Sequence, residues 1–289
     1  MKLCLAIAAM LVCLLTSQSH AQDTPFPHQG DPDDPHGGVP MGVSNSFCDN
    51  AEDSISIDWD PESTEEYTCP EGQRRGLGDA EINTQTCEDE AKKPIHKCYP
   101  EEIDYSDDPL PTSGPHRPLW PKYGEYRYVP PQRWLHSLEH GAIVFLYHPC
   151  ADKGEVDLFR TVSNQCLRRH ILSPYKEMPE GVNFVLLSWK CKLLLSNADM
   201  EEMVRFVRDH ALRAPEGHVY NDGQYSKALL HPAKMVSNIM DTQLCPHFFK
   251  MRPVYERIKA DAVNRMQTGS LIDQQVMESV ERLLQRLGH

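Results

Sequence analysis

Ten cysteines in 289 residues constrain this chain more than any other feature. Two of them, Cys4 and Cys13, sit in an N-terminal segment built like a secretory leader. Lys2 supplies a positive charge, Leu3 to Leu15 is an unbroken apolar run, and Thr16 to Ala21 is polar and ends in a small residue. A signal peptide over 1–21, with cleavage after Ala21, is the expectation. The run is short for a permanent membrane anchor. Eight cysteines then remain, an even number, in a compartment where thiols pair. The expected location is secreted or in the secretory-pathway lumen. Full pairing leaves no thiol for a cysteine nucleophile, and with no Cys-x-x-Cys pair in the sequence a zinc finger is a weak reading. Four cysteines fall early (Cys48, Cys69, Cys87, Cys98) and four late (Cys150, Cys166, Cys191, Cys245). Pairing within each group is the economical expectation; spacing does not choose among the connectivities.

Charge divides the chain at a similar place. Gln22 to Pro109 holds 23 acidic and 5 basic residues, whereas Leu110 to the end carries a small positive balance. The whole chain stands at −13, which argues against a nucleic-acid binder, because such proteins need a basic footprint to displace counterions. No apolar run after the leader is long enough to cross a bilayer. The acidic part starts as a Pro/Gly/Asp-rich stretch, expected to be a flexible arm over 22–47. His28 and His36 lie in it among aspartates and could capture a metal weakly, but are read first as part of a solvated linker. An acidic disulfide-containing module is expected over 48–109, held by its cystines because its apolar content is thin. A basic partner for this acidic segment is a further expectation.

Residues 110–250 read as an α/β (or α+β) domain, a small mixed sheet with helices packed on it. Gly141 to Tyr147 and Val182 to Trp189 are apolar and rich in β-branched residues, which suits buried strands. Leu158, Phe159, Val162, Cys166 and Leu167 recur at helical spacing. Ser196 and Asp199 have capping-box spacing ahead of Met200, Met203, Val204 and Val207, so a helix is expected to open at Ser196. The tail, 251–289, reads as a helical hairpin, with Ile272, Val276, Val280, Leu283, Leu284 and Leu287 on one stripe that packs on its own domain.

Two clusters could carry chemistry. In Pro111-Thr112-Ser113-Gly114-Pro115-His116, prolines flanking a glycine specify a fixed turn that would present Thr112, Ser113 and His116. In His136-Ser137-Leu138-Glu139-His140-Gly141, the two histidines share a face on helix or strand alike. Gly141 permits close approach to the backbone. His116, His136 and His140 could hold a divalent transition metal such as zinc, copper or non-haem iron, with Glu139 as ligand or support. The order differs from His-Glu-x-x-His, so no metallopeptidase follows. The first reading of the cluster is nevertheless a metal-free hydrogen-bonded network that closes a turn, with metal binding second and metal-free acid/base catalysis third. Trp120, Tyr123, Tyr126, Tyr128 and Trp134 lie between the clusters and are read as loop residues packed over the core.

With these two motifs, Leu172 to Tyr175 and the stretch ending at Ala214-Pro215-Glu216, the chain resembles a domain family of unknown function found in bacteria and animals. The resemblance spans about Leu110 to Gly217. Its animal branch is the tumour protein p53-inducible protein 13-like family. That resemblance implies restraint of cell growth, a membrane-anchored form for which this sequence offers no second hydrophobic span, and no established catalytic activity. The first reading is therefore a secreted or luminal regulatory or binding protein. The second is a metal-binding protein or metal-dependent enzyme using the His/His/His/Glu cluster.

Overall fold

Gly141 to Tyr147, an unbroken apolar run, supplies the middle of a sheet. In a computed structural model, which describes residues 34–248 apart from 74 and 76–81, with 250, 252–253, 256–257 and 260, this run forms strand β3. The strands are β1 (Asn83–Cys87), β2 (Gly124–Tyr126), β3 (Ile143–Tyr147), β4 (His170–Pro174), β5 (Phe184–Ser188), β6 (Cys191–Leu195) and β7 (Leu229–Pro232). The helices are α1 (Pro131–Glu139), α2 (Lys153–Cys166) and α3 (Met200–His210). The strands make one mixed sheet in the order β1-β6-β5-β3-β4-β2-β7. β3 lies parallel to β4 through the crossover helix α2 and antiparallel to β5. The fold is thus the mixed α/β architecture expected. The expected leader, the expected arm up to 33 and nearly all of the expected tail hairpin lie outside the described residues.

Side chains alternate across a strand, and β3 is apolar throughout because both of its faces are covered. Ile143 and Phe145 pack on α2 and α3 through Leu158, Phe159, Val162, Met203, Val204 and Val207. Val144 and Leu146 pack on the opposite side against Trp134, Leu135 and Leu138 of α1. Burying a side chain of this size stabilises the fold by about 1.5–3 kcal/mol. All of α1 is buried, since it lies between the sheet and the acidic segment, so it delivers polar side chains into a site shielded from water.

One local expectation needs correction. The helix expected from Ser196 opens at Met200. Asp199 is its N-cap and accepts from the backbone N–H groups of Glu201 and Glu202, while the Ser196 hydroxyl accepts from Ile82 N. An Asp at the cap meets the positive helix end directly and wins over the more distant serine. Lys190 and Lys192, which interrupt the apolar run, mark the β5–β6 hairpin; Lys192 reaches Asp108 at 2.8 Å.

The larger correction concerns the cystines. Cys48–Cys98 and Cys166–Cys245 stay within their groups, but Cys69–Cys150 and Cys87–Cys191 cross between them. The reason is topological. Asn83–Cys87 is polar and exposed, yet it adds to the edge of β6 with Cys87 opposite Cys191. Two acidic residues of the same segment are also sunk into the rest of the chain. Asp49 pairs with Arg133 at 2.5 Å and Asp58 with Arg117 at 2.5 Å, all four side chains buried. Such pairs tolerate burial only with close geometry and further hydrogen bonds, which Leu119 O and Lys97 O supply. At Asp49 and Asp58, basic groups of the same chain meet the acidic segment.

Candidate metal centre

The turn before His116 is assembled by a carboxylate. Glu88, immediately after β1, accepts from Thr112 Oγ1 at 2.6 Å and from Ser113 Oγ. Gly114 takes φ +124°, a conformation open to glycine, and its carbonyl accepts from His116 Nδ1 at 2.9 Å. His136, on α1, directs Nδ1 at Arg117 O at 2.7 Å. His140 caps α1, and Gly141 follows with φ +77°, the left-handed residue that commonly ends a helix. A Cβ on Gly141 would lie 2.7 Å from the Leu212 backbone, so the close approach read from the motif is real.

His116 and His136 come together, with ring centroids 4.6 Å apart. The third ring against both is His96, centred 5.1 Å from His116 and 4.9 Å from His136. The potential ligand atoms of His96, His116 and His136 lie within 4.8 Å of one another. His140 groups instead with His136 and Glu216, bonding Glu216 Oε2 through Nε2 at 3.0 Å. Glu139 stands between the two sides. Its Oε2 is 3.4 Å from His116 Nε2, and its Oε1 accepts from His36 Nε2 at 3.3 Å. His36 stacks on His96 with centroids 4.4 Å apart. The solvated-linker reading of His36 is therefore corrected: residues 34–40 lie over the site, with His96 N bonded to His36 O and His96 Nδ1 to Val39 O at 2.6 Å. Trp120 alone of the aromatic stretch borders the cluster, edge-on to His140 at 4.4 Å.

The protonation pattern follows from these partners. His96, His116 and His136 each direct Nδ1 at a backbone carbonyl, so Nε2 is the nitrogen left to face the cluster. All three Nε2 atoms are buried and unpartnered among the described residues, as is Glu139 Oε2. Burial pushes His96 down to about 3 and His136 well below the ordinary imidazole value, helped in each case by neighbouring histidines. Burial also lowers His140, although Glu216 opposes it. Burial alone would raise the Glu139 carboxyl, but the rings of His116 and His36 hold it at about 2, so it stays ionised at neutral pH. The hydrogen bond to Glu139 raises His36. Three imidazoles whose potential ligand atoms lie within 4.8 Å of one another, with Glu139 Oε2 3.4 Å from one of them, thus share a buried space. Imidazole nitrogens and a carboxylate grouped in this way suit a transition cation.

Residues 96–223 match the model of a family described as a protein of unknown function, DUF3105. No curated protein and no solved structure gave a match. The DUF3105 segment opens on His96 and takes in His116, His136, Glu139, His140 and Glu216; His36 comes from outside it.

Sequence reasoning missed His96 and Glu216, and set His36 aside in favour of a solvated linker. His96 sits in Lys-Pro-Ile-His-Lys with no second ligand nearby, and its only local signal is the adjacent Cys98, whose bond to Cys48 fixes that stretch. Glu216 is set by its own N–H, which donates to Glu139 O at 3.1 Å. No helix among the described residues is long and apolar enough to cross a membrane.

Proposed function

We propose that this is an exported metal-binding protein, with one divalent first-row transition ion held by Nε2 of His96, His116 and His136 and supported by Glu139. The observation that carries the reading is the grouping of three buried, backbone-oriented imidazoles, with potential ligand atoms within 4.8 Å of one another, beside the Glu139 carboxylate. Imidazole and carboxylate suit zinc or copper, and all eight cysteines outside the leader are spent on disulfides, so thiolate ligation does not compete. A backbone carbonyl holding the far nitrogen of each ligating histidine is the usual outer support of such centres. Four cystines and the leader-like N-terminus support an exported, regulatory or binding role. Growth restraint is the form of that role implied by the resemblance to the tumour protein p53-inducible protein 13-like family.

Full-length protein purified from a secretory host, equilibrated with Zn²⁺ or Cu²⁺ and desalted, tests the proposal by elemental analysis. At least one ion per chain is expected, with loss in folded His116→Ala and His136→Ala variants. Sub-stoichiometric metal unchanged by these substitutions would overturn it.

A further inference from the structure

Five imidazoles and two carboxylates are more donors than one ion can use. His96, His116 and His136 form one group on the inner side of Glu139. On its outer side a second chain of contacts runs without a gap. His36 Nε2 is 3.3 Å from Glu139 Oε1 and 3.6 Å from Glu216 Oε1, and Glu216 Oε2 is 3.0 Å from His140 Nε2. His140 is fully buried, and its Nδ1 is unpartnered among the described residues. His136 cannot serve both sides, because one nitrogen lone pair binds one ion and its Nδ1 is committed to Arg117 O. Glu139 can serve both, since its two oxygens face opposite groups.

We propose that the site is dinuclear: a second divalent transition ion sits on the outer side, held by His36, His140 and Glu216, with Glu139 bridging it to the inner ion. This rests on the proposed inner centre and extends it. Carboxylate-bridged pairs of this kind stand about 3.5–4 Å apart. The two positions differ in access. The inner ligands are buried, whereas the side chains of His36 and Glu216 are 15 % and 17 % exposed, so they form the rim. The outer ion is the exchangeable one and the inner ion the retained one. His36 is the ligand supplied from outside the DUF3105 segment, so the second position depends on the N-terminal strap being in place.

Equilibrium dialysis of the full chain against Zn²⁺ alone, read by elemental analysis with circular dichroism as the folding control, tests this. Wild type should hold two ions per chain, and His36→Ala and Glu216→Gln should each hold one. A chelator should strip one ion from wild type at least tenfold faster than the other. One ion in wild type, unchanged in both variants, overturns the dinuclear site and leaves the inner centre standing. Two ions that survive both substitutions also overturn it. No retained zinc overturns the inner centre along with it.

Discussion

At His116 the ring is fixed by a single hydrogen bond, and what faces its other nitrogen decides its chemistry. Gly114 O holds Nδ1–H, and Nε2 lies 3.4 Å from Glu139 Oε2, the carboxylate this ring helps to keep ionised. His96 and His136 likewise commit Nδ1 to a backbone carbonyl. Glu139 therefore acts on affinity more than on folding. Glu139→Gln keeps the shape and removes the charge, and Zn²⁺ affinity is expected to fall by about 10–100-fold, the usual effect of losing a charged support, as measured by competition with a chromophoric chelator. Little of this was legible residue by residue. His116, His136 and Glu139 stand out because Pro, Gly and even spacing flank them. His96 has no such neighbours, and His36 lies in composition that reads as solvent-exposed; each joins the site through contacts distant in sequence.

Elements with their own apolar signal were the legible ones. β3 and β5 read directly from branched and apolar runs, and α2 and α3 from helical spacing. β1 did not, because Asn83–Cys87 is exposed along its length and is a strand only through what β6 offers it. That edge strand matters to the centre. The Cys87–Cys191 bond holds β1, Glu88 leaves its end, and Glu88 ties the Thr112-Ser113 turn that presents His116. The paired change Cys87→Ser with Cys191→Ser should cost about 2–5 kcal/mol in denaturant unfolding, the usual range for a native cystine. It should also weaken metal retention, whereas removing Cys69–Cys150, which is remote from that turn, should cost stability with less effect on metal.

The acidic segment and the remainder of the chain make one sheet and one site in the whole molecule. Buried Asp49–Arg133 and Asp58–Arg117 pairs lie where they meet, and His36 closes the cluster. The pH response follows from the titrating groups. His96, His136 and His140 are held below 6.5 in the fold, so the unfolded chain binds more protons once pH drops under that value. Their stabilisation is complete above 6.5 and is lost on acidification, for His96 down to about 3. Glu139 adds stability above its ordinary 4.5 that disappears as pH falls toward about 2. His36 is raised and opposes this, contributing below 6.5, but it is one rim group against three buried rings. Metal-free protein should therefore have a lower denaturation midpoint at about pH 5 than at about pH 7.5, and a flat or rising midpoint on acidification would contradict this balance.

Everything proposed for the site depends on buried imidazole nitrogens, held by backbone carbonyls, closing on a transition ion. X-ray absorption at the zinc edge of the zinc-loaded full chain addresses it most directly. A nearest shell averaging two to three imidazole nitrogens per zinc at about 2.0–2.1 Å is expected, with the outer-shell pattern of rigid rings and no sulfur at about 2.3 Å. A shell of oxygen alone, a sulfur contribution, or protein that retains no zinc to measure would contradict it.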